Sequence, residues 1–185
     1  MRDTSFRTIL ALLALVLLVV IPASAQKFAL RVNAGAGADH TDKAGNVWKA
    51  DKSYVKGGGY GFIGGDTVER GDIPIDGTAD PKIYQTEHYS MDAFVAEVPD
   101  GTYTVRLHFA ETYDGIDGDG PRVFDVKVQG SVLLSDLNVQ KSAGGSQKAI
   151  VKEFKGVAVK DGVLRVEFVS KQQNPEINGI EILAE

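Results

Sequence analysis

The feature that most constrains the fold is a pair of alternating stretches on either side of a polar loop. Over residues 102–109 every second residue is apolar, and the same alternation returns over residues 124–128. A period of two turns successive side chains to opposite faces, so each stretch predicts a strand with one buried and one solvated face. On this pattern His108 faces solvent and is an ordinary surface residue.

The loop between these strands, residues 111–120, is the first candidate for function. It contains four acidic residues, three glycines and a single tyrosine, Tyr113. Polar loops between well-patterned strands commonly carry binding residues, because the rigid strands position them. We therefore expect the functional site to include this loop.

Comparable alternating runs recur along the chain and together predict an all-β protein. We expect about eight strands, with turn signals roughly 8–12 residues apart and no convincing helix after residue 25. Residues 34–82 are rich in glycine and predict long loops with short strands. The sequence KDG at 160–162 predicts a tight hairpin between its flanking strands. This organisation is typical of a β-sandwich or jelly roll.

Residues 1–25 have the organisation of a secretory signal peptide. Arg2 and Arg7 give a basic start, an apolar run of 13 residues follows at 9–21, and ASA at 23–25 fits a cleavage site. The run is short for a membrane span, which leaves an uncleaved anchor as the alternative. We therefore expect export to the periplasm or the medium, and a single domain over residues 26–185.

The charge of this domain argues against two classes of partner. Residues 26–185 carry 18 basic and 24 acidic residues, without a cluster of lysine and arginine. Such a chain has little to attract nucleic acid or an anionic membrane surface. The chain has no cysteine, which excludes disulfides, thiol catalysis and cysteine-ligated zinc.

Seven aromatic residues lie outside or at the ends of the alternating strands and suggest a sugar-binding surface. A sugar ring has an apolar face, on which an aromatic ring packs, and hydroxyl groups, which amides and carboxylates bind. Tyrosine suits both tasks because it combines a flat apolar body with a polar tip. The alternative is that these rings close the ends of a hydrophobic core. The seven are Trp48, Tyr54, Tyr60, Phe62, Tyr84, Tyr89 and Tyr113.

The acids of the polar loop raise the possibility of a metal site. Asp114, Asp117 and Asp119 offer the oxygen ligands that Ca²⁺ prefers. The spacing of a calcium-binding loop is broken by Pro121, which stands where a further acid or amide is required. A solvated acidic loop without metal is therefore the favoured interpretation.

Carboxylates also raise the possibility of glycoside hydrolysis. That reaction needs two carboxyl groups about 5–10 Å apart, and Glu87, Glu111 and Asp114 are candidates. No nucleophile or acid–base motif stands out in the sequence. We therefore expect a protein that is not an enzyme and that needs no cofactor.

Five segments of the chain resemble the malectin family of carbohydrate-binding domains. They occur in the family's order and span nearly all of residues 26–185. The second, third and fourth segments are fairly specific, whereas the first alone is not. The segments are VNAG at 32–35, YQTEHY at 84–89, FAETY at 109–113, VFDV at 123–126 followed by Gly130, and NP at 174–175.

The resemblance implies a β-sandwich of the galactose-binding-like lectin type. It also implies recognition of glucose-containing oligosaccharides by aromatic residues and an acid gathered at one end of the sandwich. Animal members of the family bind glucosylated glycans in the endoplasmic reticulum. Related domains occur in plant receptor kinases and beside bacterial glycoside hydrolases.

The same resemblance implies individual site residues. The family's three binding tyrosines are matched by Tyr60, Tyr89 and Tyr113. The position after the third is aromatic in the animal proteins and is Asp114 here, and an acid before Asn-Pro is replaced by Gln173. One stacking ring and one carboxylate of the family site are therefore changed in this chain.

Together these observations predict an exported, non-catalytic carbohydrate-binding domain over residues 26–185, without cofactor or metal. The expected ligand is a glucose-containing oligosaccharide or polysaccharide, and the domain could act beside glycoside hydrolases. The alternatives are a protein-interaction domain on the same fold and, third, a glycoside hydrolase. The residues expected to stack on the sugar, hold its hydroxyls or position the rings are Tyr60, Tyr89, Glu111, Tyr113, Asp114, Gln173 and Asn174.

Overall fold

Two antiparallel sheets pack face to face in the computed structural model, which describes residues 27–185 apart from the side chains of residues 118 and 119. The smaller sheet has four strands in the order β1–β12–β6–β9. This arrangement is the β-sandwich that the alternation predicts. Its strands are β1 (Ala29–Asn33), β6 (Gly101–Phe109), β9 (Ile150–Val159) and β12 (Gly179–Ala184).

The larger sheet has six strands, and its long strand β5 (Thr86–Glu97) is central to the site described below. One edge of β5 pairs with β4 (Tyr60–Glu69). Its other edge pairs first with β11 (Glu176–Ile177) and then with β10 (Val163–Gln172). The sheet continues through β7 (Val123–Val128) to β8 (Ser131–Leu137).

Short elements complete the described part of the chain. Strands β2 (His40–Thr41) and β3 (Val47–Trp48) pair with each other. Helix α1 (Ile116–Asp119) lies in the polar loop, helix α2 (Val139–Ala143) follows β8, and a 3-10 turn spans Pro81–Tyr84. The helical elements are therefore four or five residues long, and the rest of the described chain is strands and loops, as the sequence predicts. None of the helices in residues 27–185 is long and apolar enough to cross a membrane.

The core lies between the sheets and follows the predicted alternation. In β6 the side chains of Tyr103, Val105, Leu107 and Phe109 are buried, and in β7 the buried residues again alternate. Phe109 and Phe124 meet across the two sheets with ring centroids 6.1 Å apart. Each fully buried side chain of this kind contributes about 1.5–3 kcal/mol through removal of apolar surface from water.

Two expectations about particular strands are wrong. Residues 160–162 do not close a hairpin, because β9 belongs to the four-stranded sheet and β10 to the six-stranded sheet. His108 is buried on the outer face of β6, because Trp48 and Tyr84 cover it. Residues 34–82 also hold a longer strand than expected, the ten-residue β4. The signal-peptide prediction concerns residues 1–25, which lie outside the described residues.

Candidate functional site

A pocket with a volume of about 290 Å³ lies where the end of β4, the first half of β5 and two loops meet. One loop is the polar loop that precedes β7, and the other connects β10 to β11. Two tyrosines, two arginines and two amide side chains face the same space. The lining residues are Val68, Arg70, Glu87, Tyr89, Tyr113, Arg122, Gln173 and Asn174.

Tyr89 is fixed by strands on both sides. In β5 it lies opposite Asp66 of β4 and opposite Glu176 of β11. The β4 backbone approaches so closely that a β-carbon at Gly65, whose φ is +84°, would overlap the Tyr89 carbonyl. Glycine tolerates both the positive φ and the close approach. The half-buried Tyr89 ring therefore projects into the pocket from a well-determined stretch of sheet.

Tyr113 reaches the pocket from the polar loop. Its backbone N–H donates to Glu111 Oε1 at 3.1 Å, which ties the loop to a buried carboxylate. A β-carbon at Gly115 would overlap the Tyr113 ring, so a larger residue there would displace the ring. The sequence Tyr-Asp-Gly therefore allows the loop to turn back against its own tyrosine.

Two ion pairs form the floor of the pocket, one partly buried and one buried. Arg70 Nη2 lies 3.0 Å from Glu87 Oε1, and Glu87 Oε2 accepts a 2.6 Å hydrogen bond from the Thr112 hydroxyl. Arg122 Nε donates to Glu111 Oε2 at 2.9 Å. Pairing lowers the cost of burying these charges, and the hydrogen bonds fix the side chains that line the pocket.

Arg122 also connects the two loops. Its Nη1 donates to the backbone carbonyl of Asn174 at 2.5 Å, while its Nε binds the carboxylate of Glu111. The 7% exposed fraction of its side chain leaves little freedom to exchange these partners for water. One guanidinium therefore holds the Tyr113 loop and the Asn174 loop at a fixed separation.

A third carboxyl group, Glu176, lies in the same cluster without a hydrogen bond. Its exposed fraction is 0%, and neither carboxyl oxygen has a partner within residues 27–185. Burial raises the pKa of Glu176 well above its usual range, and the charges of Glu87 and Glu111 raise the pKa further. Arg122 and Arg70 act in the opposite direction. Burial therefore favours the neutral form of Glu176, and the two arginines of the cluster face the carboxylates of Glu87 and Glu111.

The structure brings four of the seven predicted site residues to this pocket. Tyr89, Tyr113, Gln173 and Asn174 line it. Glu111 lies behind the lining, where its 1% exposed carboxylate binds Arg122. Four of these residues therefore line the pocket and Glu111 supports the lining, and their role in binding stays a prediction.

The other two predicted residues lie elsewhere. Asp114 is exposed and faces a neighbouring depression of about 170 Å³ on the far side of the loop. Tyr60 pairs with Ala96, seven residues along β5 from Tyr89, which is roughly 20 Å at about 3.3 Å per residue. Its hydroxyl donates to the Ala50 carbonyl at 2.9 Å. Tyr60 is therefore not among the residues that the structure brings together.

Sequence reasoning missed Val68, Arg70, Arg122 and Glu176, and it considered Glu87 only as a catalytic acid. Val68 near the end of β4 and Arg70 just beyond it are two positions apart, so a period of two places them on the same side of the chain. Arg122 follows the polar loop directly, and Glu176 follows Asn-Pro. Nothing in those positions indicates burial, which depends on strands that are distant in sequence.

The described residues contain no group of three or more histidine, aspartate or glutamate side chains placed to hold a metal ion. The Asp119 side chain, one of the three loop acids considered for calcium, lies outside the described part of the chain. Chemically the pocket offers aromatic faces, amides and paired charges, which together can bind a polar ligand that has an apolar face.

Comparison with known proteins places these residues in a family. A family model described as "Malectin domain" matches residues 28–180. Malectin-B of Xenopus laevis is 31% identical over 175 residues, covering 88% of this chain. That alignment covers 59% of Malectin-B, so the chain spans about three fifths of this relative's length.

Two solved structures share the fold at low identity. A β-glucuronidase of Bacteroides uniformis superposes with a TM-score of 0.77 at 24% identity, over 85% of this chain and 18% of the enzyme. The plant peptide RALF23 complex with FER and LLG2 superposes with a TM-score of 0.64 at 18% identity, over 84% of this chain and 48% of the other. At these identities the likeness shows the fold alone.

Proposed function

The chain belongs to the malectin domain family, and from this premise we propose that it is an exported, non-catalytic domain that binds glucose-containing saccharides. The proposed site is the pocket between Tyr89 and Tyr113. Small-molecule pockets have volumes of about 300 to 1,000 Å³. This pocket, at about 290 Å³, is at the lower end of that range, as expected for a ligand of one or two sugar rings.

One observation carries this proposal. Two half-buried tyrosines, one from a strand and one from a loop, face a single pocket whose other walls carry amides and paired charges. The tyrosine rings supply flat apolar surface, and their hydroxyls supply hydrogen bonds. This combination matches the two faces of a pyranose ring.

The remaining predicted residues receive distinct roles in this proposal. Gln173 and Asn174 bind sugar hydroxyls from the rim, because they line the pocket. Glu111 positions the site by holding Arg122 and the backbone of Tyr113. Asp114 extends the site only for a longer ligand that crosses the loop into the neighbouring depression.

The experiment is a calorimetric titration with maltose, nigerose and other α- and β-glucosides, with product analysis of every mixture that shows binding. Affinities of about micromolar to millimolar are expected for so small a site. Tyr89→Ala and Tyr113→Ala should each weaken binding at least tenfold, because each removes one aromatic face. Retention of full affinity by both folded variants would show that the sugar site lies elsewhere.

Two variants make the result specific. Tyr54→Ala is the matched control, because Tyr54 is also half-buried but contacts Glu97 far from the pocket, and it should leave the affinity unchanged. Tyr60→Phe tests the third predicted tyrosine. If Tyr60→Phe loses binding while Tyr89→Ala and Tyr113→Ala keep it, the sugar site lies near Tyr60 and Ala50 instead.

A second candidate function is recognition of a protein or peptide on the same fold. Two changes from the family pattern motivate it, namely Asp114 in place of an aromatic ring and Gln173 in place of an acid. The FER structure mentioned above was solved with a plant peptide, so this fold occurs in a peptide-containing complex. Folded protein that binds no saccharide across a broad panel would favour this candidate, and cleavage of a bound saccharide would favour a hydrolase.

A further inference from the structure

Glu176 is a buried carboxyl group that has no role in the sugar site as proposed above. It lies opposite Tyr89 in the pairing of β11 with β5, and residues paired in this way project from the same face of a sheet. Glu87 lies two residues before Tyr89 in β5, so its side chain projects from that face too. The fully buried Glu176 carboxyl therefore lies beneath the pocket, beside the charged groups of its floor.

The charged residues beneath the pocket include both an unpaired acceptor and an unpaired donor. Neither carboxyl oxygen of Glu176 has a hydrogen-bond partner among the described residues, and the buried Nε of Arg70 has none there either. Buried polar groups are nearly always paired, and a network that is only partly paired is costly. A second arrangement, in which Glu176 accepts from a guanidinium, would give the carboxyl the partner that it lacks.

Arg122 is the guanidinium on which such an exchange would act. Burial acts to lower its pKa, whereas the charges of Glu176, Glu111 and Glu87, in that order, raise it. An ionised Glu176 would therefore attract Arg122 at least as strongly as Glu111 does. Arg122 donates to Glu111 and to the carbonyl of Asn174, which lies two residues before Glu176. A shift of the guanidinium toward Glu176 would weaken both of these hydrogen bonds.

The charges around Glu176 decide which of its two forms is stable. Burial raises its pKa, two carboxylates raise the pKa further, and two guanidinium groups lower it. His88, the neighbour of Tyr89 in β5, projects from the opposite face and pairs with Asp51 at 2.8 Å, so its titration is a separate event. The groups that face Glu176 from the packed elements are Glu87 and Tyr89 of β5, Glu111 and Arg122 of the polar loop, and Arg70 after β4.

We propose that Glu176 is a positioning residue that makes the shape of the pocket depend on pH. In its neutral form it leaves Arg122 bound to Glu111 and Asn174, so the polar loop stays attached to the loop before β11. In its ionised form it draws Arg122 away from Asn174, and the pocket loosens. The inference rests on the proposed function only for the choice of ligand, because the exchange of partners takes place without one.

The first measurement follows the ligand-free, ¹³C-labelled protein by NMR from about pH 5 to about pH 9. The carboxyl carbon of Glu176, the guanidinium carbon of Arg122 and the carbonyl carbon of Asn174 should shift together in one transition. Glu176→Gln should abolish the transition at Arg122 and Asn174. Glu167→Gln, at a partly exposed position, is the matched control and should retain it.

The second measurement is a calorimetric titration with maltose at both ends of this pH range. Wild-type affinity should fall about three- to tenfold as Glu176 ionises, because a difference of one pKa unit between the free and the bound protein corresponds to tenfold. Glu176→Gln should keep its low-pH affinity throughout. A merely structural role of Glu176 would instead change the affinity of the variant by the same factor at every pH.

Three results would overturn the inference. The first is that Glu176 titrates in the usual glutamate range or does not titrate up to about pH 9. The second is that the Arg122 and Asn174 signals do not follow its titration, or shift equally in Glu176→Gln. The third is that maltose affinity has the same pH profile in wild type and Glu176→Gln. If maltose binds at no pH while the coupled NMR transition is present, the proposed function fails and the role of Glu176 stands.

Discussion

Two buried polar networks in this molecule differ in whether every group finds a partner. The first, called the His108 network, consists of Tyr84, His108, Glu181 and Arg31 on the outer face of the four-stranded sheet. His108 Nδ1 lies 2.8 Å from the Tyr84 hydroxyl, and its Nε2 lies 3.0 Å from Glu181 Oε1. Arg31 Nε donates to the other oxygen of Glu181 at 2.8 Å.

The second network, called the pocket-floor cluster, consists of Arg70, Glu87, Glu111, Arg122 and Glu176. Its two ion pairs resemble those of the His108 network in length, but Glu176 accepts no hydrogen bond from the described residues. No residue of the His108 network lines the pocket between Tyr89 and Tyr113, whereas Arg70, Glu87 and Arg122 of the pocket-floor cluster do. In this molecule the buried carboxyl group without a hydrogen bond, Glu176, lies under the pocket that we propose as the sugar site.

The buried carboxyl groups of the two networks also differ in the direction in which their pKa values are shifted. Burial acts to raise the pKa of Glu181, but the hydrogen bond and charge of His108 and the charges of Arg31 and Arg106 lower it below its usual value. Burial raises the pKa of Glu176 and no hydrogen bond opposes it. One carboxyl is therefore stabilised as an anion and the other as a neutral acid.

Removing the guanidinium of the pocket-floor cluster should produce the largest effect. Arg122→Met leaves the Glu111 carboxylate without its ion-pair partner and removes the donor to the Asn174 carbonyl. Breaking a buried ion pair in this way costs about 3–5 kcal/mol. Urea denaturation should show a free energy of unfolding lowered by that amount. Arg165→Met, which breaks the exposed pair with Glu167, should cost less than about 1 kcal/mol. Equal losses in the two variants would contradict the buried role of Arg122.

Replacing Glu176 with a neutral residue should remove its contribution to the pH dependence of the free energy of unfolding. Because its pKa is higher in the folded than in the unfolded protein, the folded state binds the proton more tightly. Wild-type stability should then fall as the pH rises from about 4.5, the unfolded value, toward the raised folded value, by at most about 1.4 kcal/mol per pH unit. Below the unfolded value the group contributes no pH dependence.

The measurement compares the free energy of unfolding of wild type and Glu176→Gln over this pH range. Glutamine is neutral and nearly isosteric, so the variant should gain relative to wild type as the pH rises. Glu167→Gln, at a partly exposed position, is the control and should follow the wild-type curve. Parallel curves for wild type and Glu176→Gln would show that Glu176 is not a buried neutral acid.

Features of the fold and the site that depend on a local sequence pattern could be predicted from the sequence. The alternation of residues 102–109 and 124–128 predicted β6, β7 and their buried faces, which belong to the core. The family motifs predicted Tyr89 and Tyr113, which the structure brings to one pocket. The strands are confirmed, whereas the binding role of the two tyrosines stays a prediction. Both could be predicted because a strand's period and a motif's residue order are contained within short segments of sequence.

The parts that could not be predicted depend on which distant segments meet. His108 is buried because a 3-10 turn and Trp48 cover an outer face that alternation alone leaves to solvent. Glu176 and Arg122 meet because β11 and the polar loop both approach β5. Tyr60 lies away from Tyr89 because the pairing of β4 with β5 separates them. Long-range pairing, rather than residue type, decides each of these cases.

The smallest predicted effect tests whether the His108 network is as complete as its geometry indicates. Tyr84→Phe removes the hydroxyl that lies 2.8 Å from His108 Nδ1 and leaves that buried nitrogen without a partner. The loss of stability should be about 1–2 kcal/mol, because a buried polar group left unsatisfied costs its desolvation. Thermal or urea unfolding at pH 7 measures the change.

Tyr54→Phe is the matched control for this substitution. It removes a hydroxyl that donates to Glu97 at 3.0 Å, but Glu97 keeps hydrogen bonds from the backbone of Gly57 and Gly59. The control should therefore cost less than about 0.5–1 kcal/mol. If Tyr84→Phe is no more destabilising than Tyr54→Phe, the His108 network tolerates a missing partner as the pocket-floor cluster does. The contrast between the two networks would then reflect packing around the pocket rather than hydrogen-bond completeness.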